Sequence, residues 1–255
     1  METASFPDLS ERTQTVPLNK DFIYFSAVNR NILNNGVIDA YLGYIKVYNR
    51  AVPVTQLSSN TASLISVYNE DRDHSAFDDR IKDLLTGMEF LPEKIELFDE
   101  PGYQNDWIIS KVQNSTVSQI ASHGFDNGVG IWNDLEGNLG GDLTYDVVLS
   151  LQDNYFSNTK LLIFTGCCTA SGDNSIVDAF RLRGVDCVGG FSVNSFNPKN
   201  KRFASMVFDE LAEGATVSEA VSAAQNKFKD IYGENVANNW IDEFYLRGSP
   251  HTRLV

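Results

Sequence analysis

Cysteine is scarce in this chain: Cys167, Cys168 and Cys187 are its three, among 255 residues. An odd count with two adjacent members makes a poor disulfide framework for a protein of this size. Reduced thiols in a reducing compartment fit best. Adjacent cysteines are not the Cys-x2-Cys spacing of a zinc site and no second pair exists, so no metal is expected. Long apolar runs are also missing. No window approaches the roughly 20 residues that span a bilayer, so a membrane is not an expected partner. The opening residues, Met1 to Pro7, lack the basic-then-apolar order of a signal peptide, which makes a cytoplasmic location the expectation. Bases are outnumbered, 20 against 34 acids, for a formal charge of −14. That balance repels phosphate backbones and argues against nucleic acid. The acids are scattered, as on a solvated surface that aids solubility. Nor is there a nucleotide-binding fingerprint. The stretch Gly137 to Gly141 does not directly follow a core strand and lacks Gly-Lys-Ser/Thr, so it reads as a turn and no cofactor is expected.

What is present is an ordinary globular composition, 42% hydrophobic and 21% charged, with a regular pattern from Ala62 onward. Ser63–Tyr68 reads as a strand, and Phe77, Ile81, Leu84 and Leu85 follow at helical spacing, predicting a helix over Ser75–Leu85. Lys94–Phe98 is a second strand. Asp106 is expected to cap a helix carrying Trp107, Ile108 and Val112. Val117–Ser122 is a third strand, ending at His123-Gly124. Thr144 caps a short helix. Leu161–Phe164, a continuous apolar run, is what a strand buried on both faces looks like. Ser175–Arg183 is a helix closed by Gly184, Asp186–Val193 a fifth strand, and a further helix carries Phe203, Met206, Val207 and Leu211. Thr216 to Glu219 is a capping box opening a last helix, and Trp240–Leu246 is a final strand. Strands alternating with helices imply an α/β fold, a mostly parallel sheet of about six strands with helices on both faces. Residues 1–57 differ. Pro7 and Pro17 suggest a loose lead-in, and Val37, Ile38, Tyr41, Leu42 and Ile45 share one helical face. This segment reads as a helical appendage, with the main domain spanning 58–255.

Two consecutive core strands end in reactive residues, one in His123-Gly124 and the next in Gly166-Cys167-Cys168-Thr169. If these strands are parallel neighbours, imidazole and thiol emerge at the same sheet edge, where α/β folds bind ligands. That is the requirement for a cysteine nucleophile with a histidine partner. Neighbouring thiols in an extended strand point to opposite faces, so Cys168 and Cys187 are read as core or bystander thiols. A thiol at a strand end is, by itself, usually a small buried hydrophobe. The paired His123-Gly124, together with the family-like order of motifs given next, reverses those odds for Cys167. His74 and His251 are read as solvated.

This order, Ala121-Ser122-His123-Gly124 and then Thr165-Gly166-Cys167-Cys168-Thr169-Ala170, resembles the caspase-like cysteine peptidases of clan CD, among them caspases, separases, gingipains, legumains and CHAT domains. The segments Ala179 to Gly184, Leu211 to Gly214 and Glu219 to Gln225 make the resemblance strongest to the CHAT branch. It covers about Ala62 to Leu246. It implies a caspase-like three-layer sandwich and a cysteine endopeptidase acting on a polypeptide. By motif position Cys167 is then the nucleophile and His123 its dyad partner, with the backbone N–H groups of Gly124 and Cys167 as oxyanion hole. The Gln-Ala-Cys-x-Gly caspase signature is absent, so aspartate specificity does not carry over. Relatives that cut after basic residues often carry an acid two positions before the nucleophile. Here Thr165 stands there, which argues against an Arg or Lys preference. Thr165 and Arg72, just after the first strand, are the expected substrate-pocket residues. CHAT-like domains often sit beside repeat or sensor regions, so a regulatory or repeat-containing partner, or an upstream region, is also expected. The alternative is a catalytically silent interaction module on the same fold.

Overall fold

The computed structural model describes residues 60–67, 75–96, 105–130, 142–195, 198–233 and 240–255. The expected helix within 1–57, together with Arg72, His74 and the 137–141 turn, lies outside them. Apolar runs and helical periodicity alternate along the chain, and the elements follow suit. They are β1 Thr61–Ser66, α1 Ser75–Gly87, β2 Leu91–Glu96, α2 Asn105–Gln113, β3 Val117–Ala121, β4 His123–Phe125, β5 Gly128–Gly130, β6 Leu143–Thr144, α3 Tyr145–Leu149, β7 Leu161–Phe164, α4 Ile176–Leu182, β8 Cys187–Phe191, α5 Lys199–Ala212, α6 Val217–Tyr232 and, after a short 3-10 turn at Ile241–Glu243, β9 Phe244–Gly248.

Six strands form one sheet in the order β2-β1-β3-β7-β8-β9, parallel throughout except for β9, which runs antiparallel to β8. The sheet is entered at β1, which pairs β2 on one side, and the chain then crosses back to β3 and builds outward. Right-handed crossovers that reverse direction put their helices on opposite faces. Accordingly Ile81 and Leu85 of α1 pack with α5 and α6 on one face, while Ile108, Ile109 and Val112 of α2 pack with α3 and α4 on the other. The result is a three-layer sandwich, as expected. β7 is central, with Leu161 and Ile163 facing the first layer and Leu162 and Phe164 the second, all buried. That explains why its sequence shows no polar alternation.

The helix ends follow local chemistry. At α6 the Thr216 hydroxyl accepts the Glu219 N–H at 3.3 Å, while the Glu219 carboxylate accepts the Thr216 N–H at 2.8 Å, the reciprocal pair of a capping box. Ser175 caps α4 by accepting the Asp178 N–H at 3.1 Å. Beyond that helix Gly184 takes φ +107°, a conformation natural to glycine alone. Asp106 does not cap α2. The helix already begins at Asn105, so Asp106 lies in its first turn, where an acid still suits the positive helix end.

Candidate active site

β3 and β7 are direct parallel neighbours, so the chain leaves both at the same sheet edge. The order of strands reverses between β1 and β3, and the crevice outside the carboxyl ends at such a reversal is the usual ligand site of an open α/β sheet. After β3 the chain breaks at Ser122 and enters a small antiparallel sheet, β4-β5-β6, whose first residue is the exposed His123. After β7 the ladder continues one residue further, with the Thr165 N–H donating to the Ile120 carbonyl at 3.0 Å. Cys167 to Ala170 then form a turn rather than more strand, with Cys168 at φ +52°. The expectation that the two neighbouring thiols occupy opposite faces of an extended strand therefore fails, because the strand has ended. Both are half-buried.

The turn is anchored to the carboxyl end of β8. The Cys168 N–H donates to the Val193 carbonyl at 3.0 Å, and the Ala170 N–H to the Phe191 carbonyl at 2.8 Å. Thr169 is wholly buried beneath it, its hydroxyl donating to the Gly166 carbonyl at 3.3 Å. The segments carrying His123 and Cys167 meet backbone to backbone. A Cβ on Gly124 would fall 2.0 Å from the Cys167 carbonyl oxygen and 2.9 Å from the Cys167 nitrogen. A Cβ on Gly166 would fall 2.8 Å from the Ser122 carbonyl oxygen and 3.2 Å from the Gly124 nitrogen. Two glycines, one on each segment, thus permit an approach that any side chain would block. The geometry brings His123-Gly124 and Gly166-Cys167 to one crossing.

Burial acts on Cys168 and Cys187. It pushes the Cys168 thiol up from its ordinary value, with the charges of Asp126 and Cys167 adding to the effect. Cys187, in β8, is fully buried, and burial pushes it up to about 12, with the nearby Asp186 adding and Arg181 opposing. Cys187 is thus the core thiol the sequence suggested. Thr165 is buried, and by alternation after Leu161 and Ile163 it faces the α1–α5 layer. Its hydroxyl has no hydrogen-bond partner among the described residues.

Other groups at this edge carry no sequence signal. Cys167 Sγ donates to the Ser195 carbonyl at 3.4 Å and lies 3.8 Å from the Ser195 hydroxyl. Asn200 donates from Nδ2 to the Thr165 carbonyl at 2.5 Å and to Ser195 Oγ at 3.4 Å. The next residue, Lys201, is 1% exposed and pairs with Asp78 at 2.8 Å and Ser66 Oγ at 3.2 Å. Apart from Asn200 and Ser195, five positions apart, these contacts join residues 28 to 135 positions apart, beyond the reach of local pattern. The one cue was position, since Ser195 and Asn200 follow the carboxyl end of a core strand. Among the described residues, no three His, Cys, Asp or Glu side chains stand together as metal ligands, and no helix is long and apolar enough to cross a membrane.

Solved structures share this architecture. The Arg-specific cysteine proteinase gingipain R matches with a TM-score of 0.59 over 75% of this chain at 14% identity. The complex of the Porphyromonas gingivalis gingipain R pro- and mature domains matches with 0.58 over 76%, also at 14%. The fold is caspase-like. This chain spans about half of those chains, 46% and 48%. A Saccharomyces cerevisiae separase in complex with securin matches with a TM-score of 0.48 at 16% identity, over 74% of this chain and 12% of that one. No protein-family model and no curated protein matches the chain. At such identities the likeness fixes the caspase-like fold and leaves the chemistry to the residues themselves.

Proposed function

We propose that the chain is a cysteine endopeptidase that hydrolyses a polypeptide substrate with Cys167 as nucleophile and His123 as its acid–base partner. The observation that carries this reading is the crossing of Gly124 against Cys167 at the carboxyl edge of neighbouring parallel strands. In this reading His123 takes the Cys167 proton, and the thiolate adds to the scissile carbonyl carbon. The backbone N–H groups of Gly124 and Cys167 receive the charge that develops on the carbonyl oxygen. Collapse breaks the C–N bond as His123 returns the proton to the leaving amine. Water then adds to the thioester, releasing the carboxylic acid and restoring the thiol. Thr165, buried beneath the edge two residues before Cys167, stands in place of an acid and argues against a basic preference, while Arg72, the other expected pocket residue, lies outside the described residues. A regulatory polypeptide partner belongs to the same reading, since the gingipain R structure that shares this fold is a complex of pro- and mature domains.

The test is intact-mass labelling with a low dose of iodoacetamide on the wild type, Cys167→Ala, Cys168→Ala and His123→Ala, followed by a peptide-library screen. Fast single labelling that vanishes in Cys167→Ala and persists in Cys168→Ala is the expected result. Slow labelling spread over all three cysteines and indifferent to His123 overturns the reading and favours a silent CHAT-like interaction module.

A further inference from the structure

The resting thiol of Cys167 is held by Ser195, a residue with no part in the dyad. Its two contacts there have opposite chemistry. The Ser195 carbonyl, 3.4 Å from Sγ, has no hydrogen to give, so it stabilises only the protonated thiol. The Ser195 hydroxyl, 3.8 Å from the same sulfur, can donate to a thiolate. Which way that hydroxyl points is therefore decisive, and Asn200 decides it. Asn200 Oδ1 accepts the Lys201 backbone N–H at 2.7 Å, and Nδ2 donates to the Thr165 carbonyl at 2.5 Å. Flipping the amide would set an oxygen against the Thr165 carbonyl and an N–H against the Lys201 N–H, so its orientation is fixed by the network. The amide nitrogen facing Ser195 Oγ at 3.4 Å has only hydrogens to offer. It uses an oxygen lone pair of Ser195 and leaves the single hydroxyl hydrogen for the sulfur.

We propose that Ser195 and Asn200 are positioning residues for Cys167, with Asn200 orienting the Ser195 hydroxyl so that it donates to the sulfur once the thiol ionises. The proposal rests on Cys167 being the nucleophile. On ionisation the proton leaves Sγ for a base and the sulfur keeps the electron pair. The carbonyl contact turns from attractive to repulsive, and the sulfur moves toward the hydroxyl. One residue thus supplies the acceptor of the resting state and the donor of the reactive state. Both Ser195 and Asn200 are 8% exposed, so water does not substitute freely for either.

The test measures iodoacetamide alkylation of Cys167 against pH in a Cys168→Ala background. Ser195→Ala is expected to slow alkylation at neutral pH about threefold to tenfold, the factor expected of one hydrogen bond. The pH of half-maximal rate should rise by up to about one unit, the same factor read on the pH axis. Ser195→Thr keeps a hydroxyl and should restore the profile, whereas Asn200→Ala should shift it in the direction of Ser195→Ala. No shift in Ser195→Ala, or an equal shift in Ser195→Ala and Ser195→Thr, overturns the proposal. So does an Asn200→Ala profile that coincides with the wild type. The readout needs no substrate. The expected Ser195 dependence without cleavage of any library peptide would sink the peptidase reading and leave this one standing.

Discussion

Replacing Gly124 by alanine is the sharpest perturbation of the proposed site, because it adds one carbon where two backbones touch. That carbon would lie 2.0 Å from the Cys167 carbonyl oxygen, 2.8 Å from Thr169 Cγ2 and 2.9 Å from the Cys167 nitrogen. Relaxing the first contact merely to 3.0 Å requires the segments to part by about 1.0 Å, and neither can yield cheaply. The Cys167 turn is bonded to Val193 and Phe191, and the Gly124 strand to β5. A displacement of about 1 Å between reacting groups costs roughly a hundredfold in rate, while an overpacked contact costs about 1–3 kcal/mol of stability. Labelling by a peptidyl acyloxymethyl ketone, which needs nucleophile, dyad partner and oxyanion donors together, should fall about a hundredfold in rate by that estimate. Labelling by iodoacetamide, which needs the activated thiol but no oxyanion donors or substrate alignment, should fall much less, by about tenfold at most, the factor expected of one hydrogen bond. Gly87→Ala is the matched control. A Cβ there meets nothing within 4 Å, and removing a glycine from a helix end should leave stability unchanged or raise it by up to about 1 kcal/mol. A Gly124→Ala protein whose ketone labelling stays within about threefold of wild type would refute the crossing as the reactive geometry.

Lys201→Ala strands the buried Asp78 carboxylate and should lower urea-denaturation stability by about 3–5 kcal/mol, whereas the paired change Lys201→Met with Asp78→Leu should recover most of it; a loss below about 1 kcal/mol for the single change would mean the pair is solvated. Cys187, pushed up to about 12 by burial, should resist alkylation in the native protein at pH 9 and react once unfolded in urea. Because its folded value lies above that of an exposed thiol, the unfolded state loses its proton first. Stability should therefore fall as pH rises from about 8.5 toward 12, and a Cys187→Ala protein should show a shallower fall in alkaline melting scans.

The middle of the sheet is legible because β1, β3, β7 and β8 are buried on both faces. Leu161 to Phe164 has no polar residue to confuse the pattern, and the Thr216 to Glu219 box and Gly184 announce helix ends through chemistry confined to a few neighbours. The last strand was expected from Trp240, but its first residues form a 3-10 turn and pairing begins at Phe244. Three-residue strands such as β4 and β5 are too short to show a period, so His123 was placed at the end of β3 when it opens a hairpin instead. Strand geometry, which would send the paired thiols to opposite faces, stops at Thr165. Ser195, Asn200 and the Asp78–Lys201 pair were invisible because each gains its meaning from a segment far away in sequence.

The same edge explains why the patterning breaks where it does. On the α1–α5 face, β1 carries Ala62 and Leu64, and β7 carries Leu161 and Ile163, all in one apolar cluster. The change begins on β3, where buried Gln119 stands between Leu64 and Ile163, and at the last position of that face the row reads Ser66, Ala121 and, by continuation of the register, Thr165. Above it stand Asp78, Asn200 and Lys201, all buried. Apolar residues of similar size would pack there at no desolvation cost, and a buried ion pair commonly loses to such a replacement. Two atoms in this cluster, Thr165 Oγ1 and Asp78 Oδ1, have no hydrogen-bond partner among the described residues, an arrangement that costs roughly 1–3 kcal/mol for each such group. Stability alone therefore does not account for the polar row. It lies at the carboxyl ends of β1, β3 and β7, beside the reversal of strand order and with Thr165 two residues before Cys167, where violations of core patterning are expected to mark a site rather than a scaffold.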